Sequence, residues 1–247
     1  MALIKCCYKN ILENSTVTLS AGTEDSNYPL YRLYDRDIGK VFKPTAAVTI
    51  EVKVNQGASG NLAADRLLIP AGHNLNGMTL DMKYSDDDSG YTPAVAQWVQ
   101  AGSGLIEKNW TSGTHRYWKF IITTPASIPQ IPEIFLTQTY TWERNPSRPI
   151  GSVAPRYNVE RDEDAGGHAR FLVHGDPRRY RSYPETRAKS AQRVNIEAFY
   201  NEWAGSKPFF LCDHEGNWIY GELLNFDISE QGSDLFPFSF EFLEILP

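Results

Sequence analysis

The sequence predicts a mainly β protein in two parts. A β-sandwich occupies residues 1–143, a linker 144–155, and a small antiparallel β-barrel or sheet with one helix (about 195–203) occupies 156–247. Three observations predict it. Apolar and polar residues alternate at period two along much of the chain, and only one segment has a helical period. Aromatic residues are abundant, with 6 Trp, 13 Tyr and 12 Phe in 247 residues, which favours strands. Gly and Pro, 18 and 15 residues, supply the turns that short strands need.

The elements follow in order. Val48, Ile50, Val52 and Val54 share one face, opposed by Thr49, Glu51 and Lys53. Met78, Leu80, Met82 and Tyr84 repeat the pattern against Thr79, Asp81 and Lys83. Both read as half-buried antiparallel strands. Leu67-Leu68-Ile69 before Pro70 reads as a more buried strand, and 115–123 and 133–139 add two more. The stretch 144–155 holds three Pro and one Gly and has no apolar period, so it reads as an extended linker. Beyond it, strands are expected at 169–174, 209–213, 218–225 and 236–245, with Phe236, Phe238, Phe240 and Phe242 on one face. Ile196, Phe199, Tyr200 and Trp203 stand at i, i+3, i+4 and i+7, one stripe of a helix, and Gly205 is its natural stop. An aromatic stripe of this kind is core rather than a ligand box.

Composition excludes several classes. An apolar content of 41% is too high for a disordered chain. No apolar run approaches the 18 residues of a membrane span, and the start, Met1 to Lys9, is too short and too charged for a signal peptide. Cys6, Cys7 and Cys212 cannot build a disulfide framework, which points to a reducing compartment. The sequons at Asn14 and Asn109 are then expected to stay unused. The net charge of −6 argues against nucleic-acid binding, and its distribution is uneven. Residues 144–193 carry 11 basic and 6 acidic side chains, whereas 194–247 carry 1 and 10. The two stretches pair either within one domain or between neighbouring subunits.

Catalytic signatures are missing. There is no phosphate-binding glycine loop, dinucleotide fingerprint or nucleophile elbow. The five histidines are scattered, and His168 and His174, if on one strand, stand about 20 Å apart. Asp86-Asp87-Asp88-Ser89-Gly90 resembles the start of a calcium loop, but Gln97 stands where the closing Glu belongs, so the run reads as a solvated loop. We expect no enzyme activity, no cofactor and no metal.

Two resemblances add to this reading. Asn10-Ile11-Leu12 to Leu19-Ser20-Ala21, Tyr28 to Asp37 with Phe42, Ile69 to Leu75, Met82 to Asp87, His115 to Phe120 and Pro132 to Leu136 follow the order of discoidin or galactose-binding-like jelly-roll domains. The family's turn glycine is Arg36 here, which weakens transfer of the metal site often found near that turn. Gly175 to Tyr180, Gly205 to Phe210, Gly216-Asn217-Trp218 and Phe238 to Glu244 are similar to distal and minor tail proteins of long-tailed phages, in which a small β-barrel with one helix forms a ring.

What the resemblances imply is a virion structural protein of a tail tip or baseplate, assembled in the host cytoplasm with other tail proteins as a homo-oligomeric ring. Its assembly residues would include Arg178, Arg179, Arg181, Arg187, Glu222 and Glu241. The sandwich would dock to a neighbour or bind a host-surface glycan through loop residues His73, Asn74, Tyr91, Trp98 and Trp110, the aromatics stacking on sugar and the others giving directional hydrogen bonds. A second reading of these five stays open: Trp98 and Trp110 plug the sandwich core and His73 ties down its own loop. The alternative function is a carbohydrate-binding accessory module of a bacterial protein.

Overall fold

A computed structural model describes residues 2–58, 61–123, 125–145, 155–163, 169–201, 207–228 and 235–247. The chain divides into two compact units, one made of Cys7–Tyr140 with Pro247, the other of Met1–Cys6 and Thr141–Leu246. The sequence reading had given all of 1–143 to the sandwich. Strand β1 (Lys5–Cys7) instead lies in the sheet of the second unit.

The first unit is a sandwich of two antiparallel sheets. Its strands are β2 (Thr16–Ala21), β3 (Ile50–Asn55), β4 (Ala63–Ile69), β5 (Thr79–Ser85), β6 (Thr92–Val99), β7 (Ile106–Thr114), β8 (Tyr117–Thr123) and β9 (Phe135–Thr137). One sheet has the order β2-β3-β8-β5-β6 and the other β7-β4-β9. The non-consecutive neighbours mark the crossovers of a jelly-roll. Alternation works as expected in β3, where Ile50, Val52 and Val54 are buried and Glu51, Lys53 and Asn55 are half-buried. Val48 departs from it, being exposed and ahead of the strand. Leu80 and Met82 of β5 and Trp118, Phe120 and Ile122 of β8 complete one wall of the core, facing Leu67, Ile69, Ile106 and Leu136 of the other sheet. Outside, opposite charges cross the strands: Lys119 Nζ meets Glu51 at 3.0 Å and Lys53 Nζ meets Asp88 at 2.9 Å.

Arg36, where the resemblance leads one to expect a turn glycine, is in a left-handed conformation (φ 65°). Its guanidinium pairs with Glu13, donates to the Tyr8 carbonyl at 2.9 Å and lies 4.3 Å from the Phe135 ring centroid. Its backbone N–H donates to the buried Glu133 at 3.0 Å. Glu133 also accepts from Asn10 Nδ2 at 3.3 Å. Burial pushes the Glu133 carboxyl well above the usual range, although the Arg36 charge pulls it back. The turn is therefore built around an arginine. Among the described residues, no three His, Cys, Asp or Glu side chains are placed to hold a metal ion.

The second unit contains β10 (Tyr140–Thr141), β11 (Pro155–Glu163), β12 (Ala169–Lys189), the helix α1 (Ser190–Phe199), β13 (Phe209–Cys212), β14 (Trp218–Ile228) and β15 (Leu235–Glu244). The strands form one seven-stranded sheet, β10-β1-β13-β14-β15-β12-β11. Its core is aromatic. Trp142 lies 4.7 Å from Phe238 and 5.0 Å from Phe240, and Phe209 lies 5.2 Å from Phe242. Ile196 and Phe199 of the helix stripe are buried, Tyr200 is partly exposed and stacked on Phe226 at 4.6 Å, and Trp203 lies outside the described residues. The helix begins five residues earlier than the stripe suggested. Most of the expected linker, 146–154, also lies outside the described residues, and β11 starts at its last position, Pro155. No helix among the described residues is long and apolar enough to cross a membrane.

Candidate functional site

The five loop residues singled out in the sequence do not converge. His73 is buried: its Nε2 bonds the Gly104 carbonyl at 2.8 Å, and its Nδ1 accepts from the Leu75 N–H at 3.2 Å. Burial lowers its affinity for a proton, so the ring is a neutral loop tie. Asn74 donates to the Ile128 carbonyl at 2.9 Å and accepts from the Gln130 N–H at 2.7 Å, joining two loops. Trp98 packs partly buried against the core, with the Lys108 ammonium 4.9 Å from its ring centroid. These three belong to the end of the sandwich where β5 begins and β6 finishes.

Tyr91 and Trp110 belong toward the opposite end. Tyr91 donates its hydroxyl to Asp88 and carries the Lys119 ammonium 4.2 Å from its ring centroid. Trp110 packs against the core and donates Nε1–H to the Ala64 carbonyl at 3.1 Å. Lysines therefore sit over both Trp98 and Tyr91, where the sequence reading placed sugars.

The structure gathers a different set of residues. The turns after β3, β5 and β7 meet at one end, because Asn55 pairs with Tyr117 across β3–β8 and Ser85 pairs with Tyr117 across β5–β8. The β7–β8 turn carries His115 and Arg116. The His115 ring stacks on Tyr84 with centroids 3.8 Å apart and meets Trp118 edge-on at 5.4 Å. Its Nδ1 faces Asp86 Oδ1 at 3.1 Å, the first residue after β5. Gly113 makes room for this ring, since a Cβ there would stand 2.8 Å from His115 Nε2. Arg116 donates through Nε to Asn55 Oδ1 at 3.3 Å, and its guanidinium lies 4.9 Å from the Tyr117 ring centroid. Gln56 closes the frame, donating to the His115 and Leu62 carbonyls at 2.8 and 3.1 Å.

This arrangement leaves binding capacity unused. His115 Nε2 and the terminal nitrogens of Arg116 have no hydrogen bond among the described residues. The Asp86 side chain is 72% exposed, so its oxygens can accept further bonds. The His115 ring thus rests on a cluster of Tyr84, Trp118 and Trp110, while Arg116 beside it lies on Tyr117. The neighbouring carboxylates are poorly suited to acid catalysis. Bonds from Ser89 above all, then from Ser85 and the Gly90 N–H, hold Asp87 far below the usual range, and Lys53 and Tyr91 lower Asp88. Neither carries a proton to give at neutral pH.

This cluster does not stand out in the sequence because its residues are polar turn residues, unremarkable singly, on three turns about thirty positions apart. The available signal was His115-Arg116 in a tight turn between two strongly alternating strands. The assembly residues are also placed. Arg179 donates its backbone N–H to Glu244 at 2.8 Å, and Arg181 forms a buried pair with Asp213 at 3.0 Å, both within the chain. Arg178 is exposed on β12, and Glu222 and Glu241 are half-buried on β14 and β15. Arg187 is in β12, but its side chain lies outside the described residues.

No family model and no curated protein matches the chain. Solved structures do match over about half of it. Chitosan-binding module 1 of a chitosanase/glucanase from Paenibacillus sp. IK-5 is 17% identical, with 53% of this chain and 98% of that one covered and a TM-score of 0.44. The module CpGH89CBM32-5 from Clostridium perfringens, solved with GalNAc-β-1,3-galactose, is 12% identical, with 52% and 99% covered and a TM-score of 0.43. A putative α-L-fucosidase from Bacteroides thetaiotaomicron is 15% identical with a TM-score of 0.46; the match covers 53% of this chain and only 28% of the fucosidase.

Proposed function

We propose that the sandwich is a glycan-binding module and that its site is the loop end formed by His115, Arg116, Asp86 and Asn55. One observation carries the reading: the turns after β3, β5 and β7 bring Asn55, Asp86 and the His115–Arg116 pair together at one end of the sandwich, with the His115 ring stacked on Tyr84. A neutral polyol fits this set better than an ion does. The run Asp86 to Asp88 repels an anion, Arg116 repels a cation, and adjacent sugar hydroxyls both donate and accept. The protein in this reading binds without catalysing, because Asp87 and Asp88, the carboxylates beside Asp86, are held ionised.

Titration calorimetry with a panel of neutral oligosaccharides tests the proposal. A saturable response lost in Arg116→Ala supports it, and silence across the panel overturns it. The tail-assembly role that the second-half resemblance implies finds no supporting observation here. The pairings of Arg179 and Arg181 inside the chain account for part of the charge asymmetry that suggested contacts between subunits.

A further inference from the structure

Two arginines face each other across the outer strands of the second unit. β11 and β12 are antiparallel, and Arg156 is the Cα partner of Arg178. Residues opposed in such a ladder lie about 4.5–5.5 Å apart at Cα with their side chains on one face, and like charges so placed destabilise the pair. Neither arginine has an ion pair among the described residues. Three carboxylates of these strands are engaged elsewhere: Glu244 by the Arg179 N–H, Glu241 by the Tyr180 hydroxyl, and Glu160 by His174 at 2.9 Å. Arg156 lies 5.6 Å from the Tyr180 ring centroid, and Arg156, Arg178, Tyr157 and Leu243 line a hollow of about 240 Å³.

We infer that this hollow binds a dianionic phosphate group. Two guanidinium groups bring two positive charges and two planar forks of N–H donors. A phosphomonoester answers with a charge of about −1.5 to −2 at neutral pH and three acceptor oxygens. A carboxylate, with one charge and two oxygens, satisfies only one arginine. The site is separate from the His115 end of the sandwich and goes beyond the function proposed for it. The phosphate comes either free or on a small sugar, whose ring the Tyr157 and Leu243 walls accommodate.

The test is calorimetric titration of the full chain at low salt with inorganic phosphate, glucose 6-phosphate, glucose and acetate. The expected result is one saturable site for a phosphate ligand, weakened about tenfold or more in Arg156→Gln and in Arg178→Gln, since each variant removes one charged fork of donors. Binding of glucose 6-phosphate should also weaken below about pH 6, where its phosphate regains the second proton. Tighter binding of glucose 6-phosphate identifies the sugar phosphate as the source, and equal binding identifies free phosphate; both support the inference. Both arginines are exposed, so the variants keep their fold, which circular dichroism checks. Phosphate-dependent thermal stabilisation of the wild type gives a second readout. No saturable phosphate binding, equal binding of acetate, or folded variants that bind as the wild type does would overturn it.

Discussion

Replacing Arg36 with glycine restores the residue that the resemblance leads one to expect, and it should still destabilise the protein. Two effects oppose each other. Glycine relieves the left-handed conformation at φ 65°, worth about 1–2 kcal/mol. It also removes a guanidinium that pairs with Glu13, with side chains only 6% and 10% exposed, and that lies over Phe135. Breaking a buried ion pair from one side costs about 3–5 kcal/mol. The net expectation is a loss of about 1–4 kcal/mol. The loss should depend on pH through Glu133, whose folded pKa burial has already raised. A raised carboxyl contributes stability that is full below its unfolded pKa and is lost as pH rises through the folded one. Without the Arg36 charge the folded value rises further, so Arg36→Gly should lose more stability at pH 7 than at pH 5. Urea unfolding followed by tryptophan fluorescence at the two pH values measures both quantities. A variant as stable as the wild type, or a loss independent of pH, would refute the reasoning.

Three further outcomes are expected. Trp98→Ala should cost about 1–3 kcal/mol, less than a fully buried Trp, and leave sugar binding at the other end of the sandwich unchanged in the same titration. Gly221→Ala should destabilise the second unit by about 1–3 kcal/mol, because its Cβ would fall 2.1 Å from the Leu243 carbonyl oxygen; thermal unfolding measures it. Asp213 is held low despite its burial, by the Asn217 N–H and Arg181, so its stabilisation is present above the unfolded pKa and fades as pH falls through the folded one. Denaturation curves of Arg181→Ala should show a loss of about 3–5 kcal/mol at pH 7 that shrinks toward pH 3.

The sandwich was legible where one face of a strand is buried and the other wet. Ile50, Val52 and Val54 alternate with Glu51 and Lys53 for that reason. In the hairpin of β11 and β12, the strand expected at 169–174 is the start of β12, but β11 and the rest of β12 were not legible. Val159, Leu172 and Val173 are exposed there, so no buried face imposes a period. The three residues of β1 are too few to show one, and β13, the strand they adjoin, starts some two hundred positions later. At the candidate site, sequence reasoning favoured large aromatics and could not know that Lys108 and Lys119 cover Trp98 and Tyr91. It named His73 as a polar contact, yet both ring nitrogens are spent on its own loop and its neighbour. The pairing of His115 with Asp86 depends on β5 and β8 lying side by side, a fact of topology that no local pattern carries.

The central claim is that the His115–Arg116 turn binds a neutral glycan. Its most direct test is titration of wild type, Arg116→Ala and His73→Ala with the tightest-binding oligosaccharide from a neutral panel. The account predicts that Arg116→Ala weakens binding by about tenfold or more, the loss of a hydrogen bond from a charged donor. His73→Ala should bind as the wild type does wherever it remains folded. Undiminished binding by Arg116→Ala, or binding abolished by His73→Ala alone, would contradict it.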